Sequence, residues 1–275
     1  MAEPILTAHL FPKLEQLLIE LLTSLSPADW RTQTIAPQWN VKDVAAHLLD
    51  TQLRKLALLR DDFAAERPSI DSDADLLTYI NRLNQEGVAY FRRLSPALLI
   101  SLMKAASEQS IAFHQTLDPF APAVFPVSWA GERHSLNWFD TAREYTERWH
   151  HQQQIRLAVN RPGIEIPEIY HPVLDCFMRA LPHSYRDVSA PIGTNLRFDI
   201  EGPAGGTWFL IRCDNSWELS SGAAGTTVAG AMIPQQIAWR IFTKGIDRTA
   251  ARAQIGFSGH AALAERILGT IAIVG

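Results

Sequence analysis

The chain has 275 residues, of which 47% are hydrophobic and 20% charged, and a formal net charge of −4. That length suits one large domain or two ordinary ones with buried cores, and that balance excludes an intrinsically disordered chain. The negative charge gives no electrostatic reason to bind nucleic acid or an anionic membrane surface, and no apolar run is long enough to span a bilayer. Met1-Ala2-Glu3-Pro4 opens without the basic and apolar segments of a secretory signal. Cys176 and Cys213 form neither a metal motif nor a dense disulfide framework, so the expected compartment is the cytoplasm.

Leu10, Leu14, Leu17, Leu18, Leu21 and Leu22 recur at helical spacing and predict a helix from about Ala8 to Ser24. Ser26-Pro27-Ala28-Asp29-Trp30 reads as an N-capped helical turn, with Pro27 where a missing N–H costs nothing. Asn40 followed by Asp43 approaches a capping box and opens a helix through Val41, Val44, Leu48, Leu56 and Leu59 to about Asp62. His47 falls at the edge of its apolar stripe. A polar break over 68–73 precedes a helix from about Asp75 to Leu94. Ser95-Pro96 then caps a stretch to about Leu117, either a separate helix or a continuation kinked at Pro96. Pro119 to Pro126 is a Pro/Ala-rich loop, continued by Val127 to His134. From about Leu136 to Asn160 no Gly or Pro interrupts the chain, which predicts one long helix. Four or five long helices with no strand signal point to an antiparallel helix bundle over residues 1–163.

After Asn160-Arg161-Pro162-Gly163 the texture changes, and residues 164–275 read as an α+β domain. Pro167 to about Leu181 is helical. Leu196, Phe198 and Ile200 alternate with polar residues as a strand, Gly202-Pro203-Ala204-Gly205-Gly206 turns, and Thr207 to Arg212 and Trp217-Glu218-Leu219 continue a meander. The glycine-rich stretch joins two strands instead of opening a helix, so it reads as a hairpin turn and not a phosphate cradle. Thr226 to Ala231 and Ala253 to Phe257 are strand-like, Pro234 opens a helix, Ser258 caps a helix over Ala261 to Leu268, and Thr270 to Val274 reads as a final strand.

The chemistry sits in Arg143-Glu144-Tyr145-Thr146-Glu147-Arg148-Trp149-His150-His151-Gln152-Gln153-Gln154-Ile155-Arg156. Helical residues turn by about 100° each, so Glu147 and His151 lie one turn apart on one face. A carboxylate and an imidazole side by side are two thirds of a catalytic-type divalent metal site, with His47 the candidate third ligand from another helix. The stripe Trp138, Ala142, Tyr145, Trp149 points the other way, so periodicity also allows a solvated Glu/His pair. His150 and Glu144 lie within reach of the same face, and geometry leaves the ligand choice open. His9, His114, His134, His171, His183 and His260 are scattered and expected to be surface or capping residues. No Gly-x-Ser-x-Gly elbow and no Cys-x-x-Cys is present.

Trp30, and then Trp39-Asn40-Val41-Lys42-Asp43-Val44-Ala45-Ala46-His47-Leu48, resemble the second-helix signature of the DinB-like bundle superfamily. They look closest to the metal-binding N-terminal domain of mycothiol-dependent maleylpyruvate isomerases. In that family the His of a His-Leu pair, with Glu-x-x-x-His about a hundred residues later on the last helix, binds a divalent metal, typically zinc. The resemblance implies His47, Glu147 and His151 as the metal ligands and selects His151 over His150. The tail, from Phe198-Asp199-Ile200-Glu201-Gly202 through Trp208, Trp217-Glu218-Leu219 and the Pro234 helix to a closing Gly259-to-Leu268 helix, is similar to the family's sterol-carrier-like α+β domain. Two positions depart from the family's pattern. Gln154 stands where the family commonly has Asp, three residues after the ligand His, and His260 where Asp commonly follows the closing Gly.

The resemblance implies a cytosolic enzyme of thiol-dependent isomerisation or thiol transfer, acting on a small electrophilic substrate. Its partners would be that small molecule and a thiol (mycothiol, bacillithiol or glutathione), with no nucleic acid and no membrane. Two other readings keep the same ion: a non-catalytic small-ligand-binding protein with a structural metal, and a metal-dependent hydrolase.

Overall fold

Asn40 has an extended backbone, and its side chain accepts the Asp43 backbone N–H at 3.0 Å while Asp43 Oδ2 accepts the Asn40 N–H at 3.1 Å. This reciprocal cap starts α2 (Val41–Lys55), which continues through one π-helical turn at Leu56–Arg60. The computed structural model describes residues 3–220, 222 and 225–273. Before α2 stand α1 (Phe11–Thr23) and a short 3-10 turn at Asp29–Arg31, where Ser26 and Asp29 cap each other. After it come α3 (Asp73–Phe91) and α4 (Pro96–Thr116), two separate helices because Arg92 ends the first and Ser95 caps the second. The long helix, α5, spans Asn137–Ala158.

The chain forms two compact units. The helical unit comprises Ala8–Asp118 and Glu147–Gly163, with a core of Leu18 and Leu22 from α1, Val44 and Leu48 from α2, Leu99 and Met103 from α4, and Ile155 from α5. Asp43 is buried in this unit and takes two hydrogen bonds from Arg92, at 2.6 and 3.0 Å, tying the cap of α2 to the end of α3. Gly87 lets α3 approach α2: a Cβ there would lie 2.2 Å from the Asp50 carboxyl carbon.

The second unit contains residues 3–7, Pro119–Thr146 and Ile164–Ile273. The sequence reading counted 119–146 with the bundle, whereas by packing this segment groups with the sheet. A mixed five-stranded sheet runs in the order β3-β2-β1-β4-β5, from β1 (Asn195–Glu201), β2 (Gly206–Arg212), β3 (Trp217–Ser220), β4 (Thr227–Pro234) and β5 (Gly256–Gly259). Only β1 and β4 pair in parallel. Leu196, Phe198, Ile200, Leu210, Ala231 and Ile233 are buried from alternating positions. α6 (Pro167–Met178) and α8 (Gln235–Phe242) belong to the same unit: Trp208 Nε1 donates to Asp175 Oδ1 at 2.9 Å and the Tyr170 hydroxyl to the Gln235 carbonyl at 2.8 Å. α7 (Leu181–Ser184), α9 (Arg248–Arg252) and α10 (Ala261–Ala264) are short. The Gly202–Gly206 stretch is a β1–β2 hairpin turn. Gly205 is required there because a Cβ would meet the Ile200 carbonyl oxygen at 1.9 Å.

Three local expectations are corrected. Residues 253–255 are a helix end and turn, because Asp247 caps α9 immediately before them. Ser258 lies inside β5, and the residue before α10 is His260, whose side chain makes no cap. Residues 270–273 form no strand: the Ala272 N–H donates instead to the Phe242 carbonyl at 3.0 Å, at the end of α8. Val274 lies outside the described residues. Neither Cys176 nor Cys213 forms a disulfide, and no helix of the described residues is long and apolar enough to cross a membrane.

Candidate metal centre

The second and fifth helices bring the three proposed ligands into one region of the helical unit. α2 carries His47, and the C-terminal half of α5 carries Glu147 and His151. The rings of His47 and His151 are 4.7 Å apart, edge to face. His151 Nε2 lies 3.6 Å from Glu147 Oε2. Both imidazoles are buried, while the Glu147 side chain keeps 23% of its exposure. Trp39, just before the cap of α2, lays its ring 4.7 Å from His47 and 6.2 Å from His151.

His151 Nδ1 lies 2.9 Å from Gln154 Oε1. With the amide oxygen accepting, the proton sits on Nδ1 and the lone pair on Nε2, the nitrogen nearer Glu147. This is the outer hydrogen bond that a metal-ligating imidazole characteristically makes. His150 stands alongside, its ring 4.0 Å from His151 and its Nδ1 3.9 Å from Glu147 Oε2. Among the described residues, ligand atoms of Glu147, His150 and His151 all fall within 4.8 Å of one another. Two ligand sets thus share Glu147 and His151 and differ in the third member.

The family model described as the mycothiol maleylpyruvate isomerase N-terminal domain matches residues 11–156. The chain belongs to this family. Two solved structures of the mycothiol-dependent maleylpyruvate isomerase share its fold. One, of a His-to-Ala mutant, has a TM-score of 0.56 at 12% identity and covers 91% of each chain. The other has a TM-score of 0.53 at 13% identity, covering 85% of this chain and 86% of that one. No curated protein sequence matches the chain.

The residues suit a divalent cation. His47 Nδ1 is buried with no hydrogen-bond partner among the described residues, a costly state for a polar atom without a ligand. Burial, reinforced by the neighbouring imidazoles and cations, holds His47 well below the usual histidine range, and burial brings His151 down to about 3. Both are therefore neutral at pH 7, the form that ligates a metal.

The same burial sets a pH dependence. In the unfolded chain these imidazoles take up protons near the ordinary 6.5; in the folded chain they do so only at lower pH. Between those values the unfolded state binds more protons, so acidification favours unfolding. The metal-free protein is expected to lose stability from about pH 6.5 downwards, by up to about 1.4 kcal/mol per pH unit per imidazole. Thermal melts from pH 7.5 to 4.5 check this; His151→Gln should flatten the acid limb, and an unchanged slope would refute the assignment.

Behind the candidate ligands lies a buried polar network that sequence reading missed. Arg148 donates to Glu15 Oε1 at 2.9 Å and to Ser110 Oγ at 2.6 Å, and its guanidinium lies 4.7 Å from the Phe11 ring centroid. Ser107 Oγ is 2.9 Å from Glu15 Oε2 and 3.1 Å from Gln52 Oε1. His114, expected at the surface, is buried and stacks on Phe11 at 4.9 Å. The available signal was Glu15, a carboxylate beside the leucine stripe of α1. The other was the run Arg148 to Gln154, which reads as solvated but is buried on every face.

Proposed function

We propose that the chain is a cytoplasmic, divalent-metal-binding enzyme of thiol-dependent isomerisation or thiol transfer, with zinc held by His47, Glu147 and His151. The observation that carries this reading is the pairing of two buried, neutral imidazoles from separate helices beside a partly exposed carboxylate. That pairing occurs inside the domain by which the chain belongs to the maleylpyruvate isomerase family. Two imidazoles and one carboxylate suit zinc and would leave the ion able to take a thiol or water as well.

A bound divalent ion would supply Lewis acidity, lowering the pKa of a coordinated thiol so that thiolate is available at neutral pH. The protein's own part is to hold the donors ready. Gln154 keeps the proton of His151 on Nδ1, Trp39 packs its tilted ring against His47, and the exposed edge of Glu147 marks the side open to solvent. The reaction proposed is addition of a thiolate sulfur to a conjugated double bond, rotation about the resulting single bond, and departure of the same thiolate. One C–S bond forms and breaks, and no thiol is consumed. If the thiol stays on the electrophile, the same machinery is a transferase. Mycothiol is the thiol named for the family, with bacillithiol and glutathione the other two to test.

The test is turnover of maleylpyruvate, and of a panel of conjugated or epoxide electrophiles, by zinc-loaded protein with each thiol. Thiol-dependent loss of substrate absorbance is expected, with the thiol recovered if the reaction is an isomerisation and used up one-for-one if it is a transfer. Full metal occupancy with no thiol-dependent turnover of any substrate would overturn the proposal in favour of a structural ion.

A further inference from the structure

The buried network behind the candidate ligands joins four helices of the unit that holds them: α1, α2, α4 and α5. Arg148 stands on α5, one residue after Glu147 and three before His151. Its guanidinium donates to Glu15 on α1 at 2.9 Å and to Ser110 on α4 at 2.6 Å. Glu15 Oε2 lies 2.9 Å from Ser107 on α4, and Ser107 lies 3.1 Å from the Gln52 amide on α2, the helix of His47. The Ser107 hydroxyl has a single proton, and the carboxylate is the stronger acceptor. The contact with Gln52 therefore closes as a hydrogen bond with the amide nitrogen turned towards Ser107. All five side chains are buried. A chain of polar contacts thus runs inside the unit from the turn of α5 that carries two ligands to the helix that carries the third.

Net stability is a weak reason for such a network, because apolar side chains of similar volume do as well as a buried ion pair or better. Direction is a stronger one. Hydrogen bonds weaken steeply away from their preferred distance and angle, whereas apolar contact is non-directional. A metal centre built from two helices needs that direction, since its ligand distances must be met to about 0.2 Å. Any slide or rotation of α5 carries Glu147 and His151 together relative to His47, whose ring is 4.7 Å from that of His151.

We propose, resting on the metal reading above, that Glu15, Arg148 and Ser107 are positioning residues of the metal centre. They touch no ligand atom of the ion; they fix the ligand-bearing turn of α5 against α1 and α4, and through Gln52 against α2.

Cobalt(II) titrated into the metal-stripped full-length protein tests this, because its visible d–d bands report coordination geometry as well as occupancy. Wild type is expected to bind about one cobalt per chain. Glu15→Leu/Arg148→Met, expected to keep most of the wild-type stability, should bind at least about tenfold more weakly and with altered bands. Ser107→Ala leaves the ion pair in place but cuts the link to α2, and should weaken binding about threefold or more, again with altered bands. A merely structural network would lower the melting temperature and leave the affinity and bands of the folded protein as they were. Wild-type affinity and bands in either folded variant would overturn the proposal and leave the metal reading standing. Absence of cobalt binding by the wild type would overturn both.

Discussion

Arg148→Met is expected to cost about 3–5 kcal/mol of folding stability, because it strands the Glu15 carboxylate in the interior with a charge and no cation. Both side chains are almost fully buried, and the guanidinium also satisfies Ser110. Burial pulls the arginine below its ordinary range while Glu15 pulls it back. The double variant Glu15→Leu/Arg148→Met removes both charges and should recover most of that loss, since apolar side chains of similar volume replace a buried ion pair at little cost. Urea unfolding of the two single variants and the double variant measures the coupling. A single-variant loss below about 1 kcal/mol, the range of a solvated surface pair, would show that the network is not buried in solution.

His47→Ala and His151→Ala are each expected to leave the purified protein with essentially no bound divalent metal, while His150→Ala retains about one ion per chain. The first two remove neutral nitrogen donors contributed by different helices. The third removes a ring that lies beside the carboxylate but, on this reading, outside the ligand set. Gln154→Leu should fall between: the donors remain, the bond that fixes the His151 proton on Nδ1 is lost, and affinity drops about 10–100-fold. Gln154→Asp restores an acceptor and should bind at least as well as wild type. Metal content after dialysis, and competition with a chromogenic chelator, give both readings. Metal retained in His47→Ala but lost in His150→Ala would transfer the third position to His150 and the set to one helix.

Much of the helical unit was legible because its signals are local. The Asn40/Asp43 cap, the proline at the start of α4, and the uninterrupted run of α5 each act over a few residues of chain. Glu147 and His151 were legible as neighbours for the same reason: one helical turn separates them wherever the helix is placed. The end of the chain was less legible. Thr270 to Ile273 has strand composition, but its Ala272 N–H bonds the end of a helix, a partner that composition does not specify.

Sequence alone carried the capped start of α2, the uninterrupted run of α5, the alternation that builds β1 and β2, and the spacing Glu147-x-x-x-His151, since all of these depend on backbone geometry within one element. The burial of Arg148 to Gln154, the partnership of Glu15 with Arg148, and the 4.7 Å approach of His47 to His151 were decided only by packing. The physical reason is that a polar helix face reads alike whether it meets water or other side chains. Only when α1, α2 and α4 close around α5 do its charges lose water and require the partners they have.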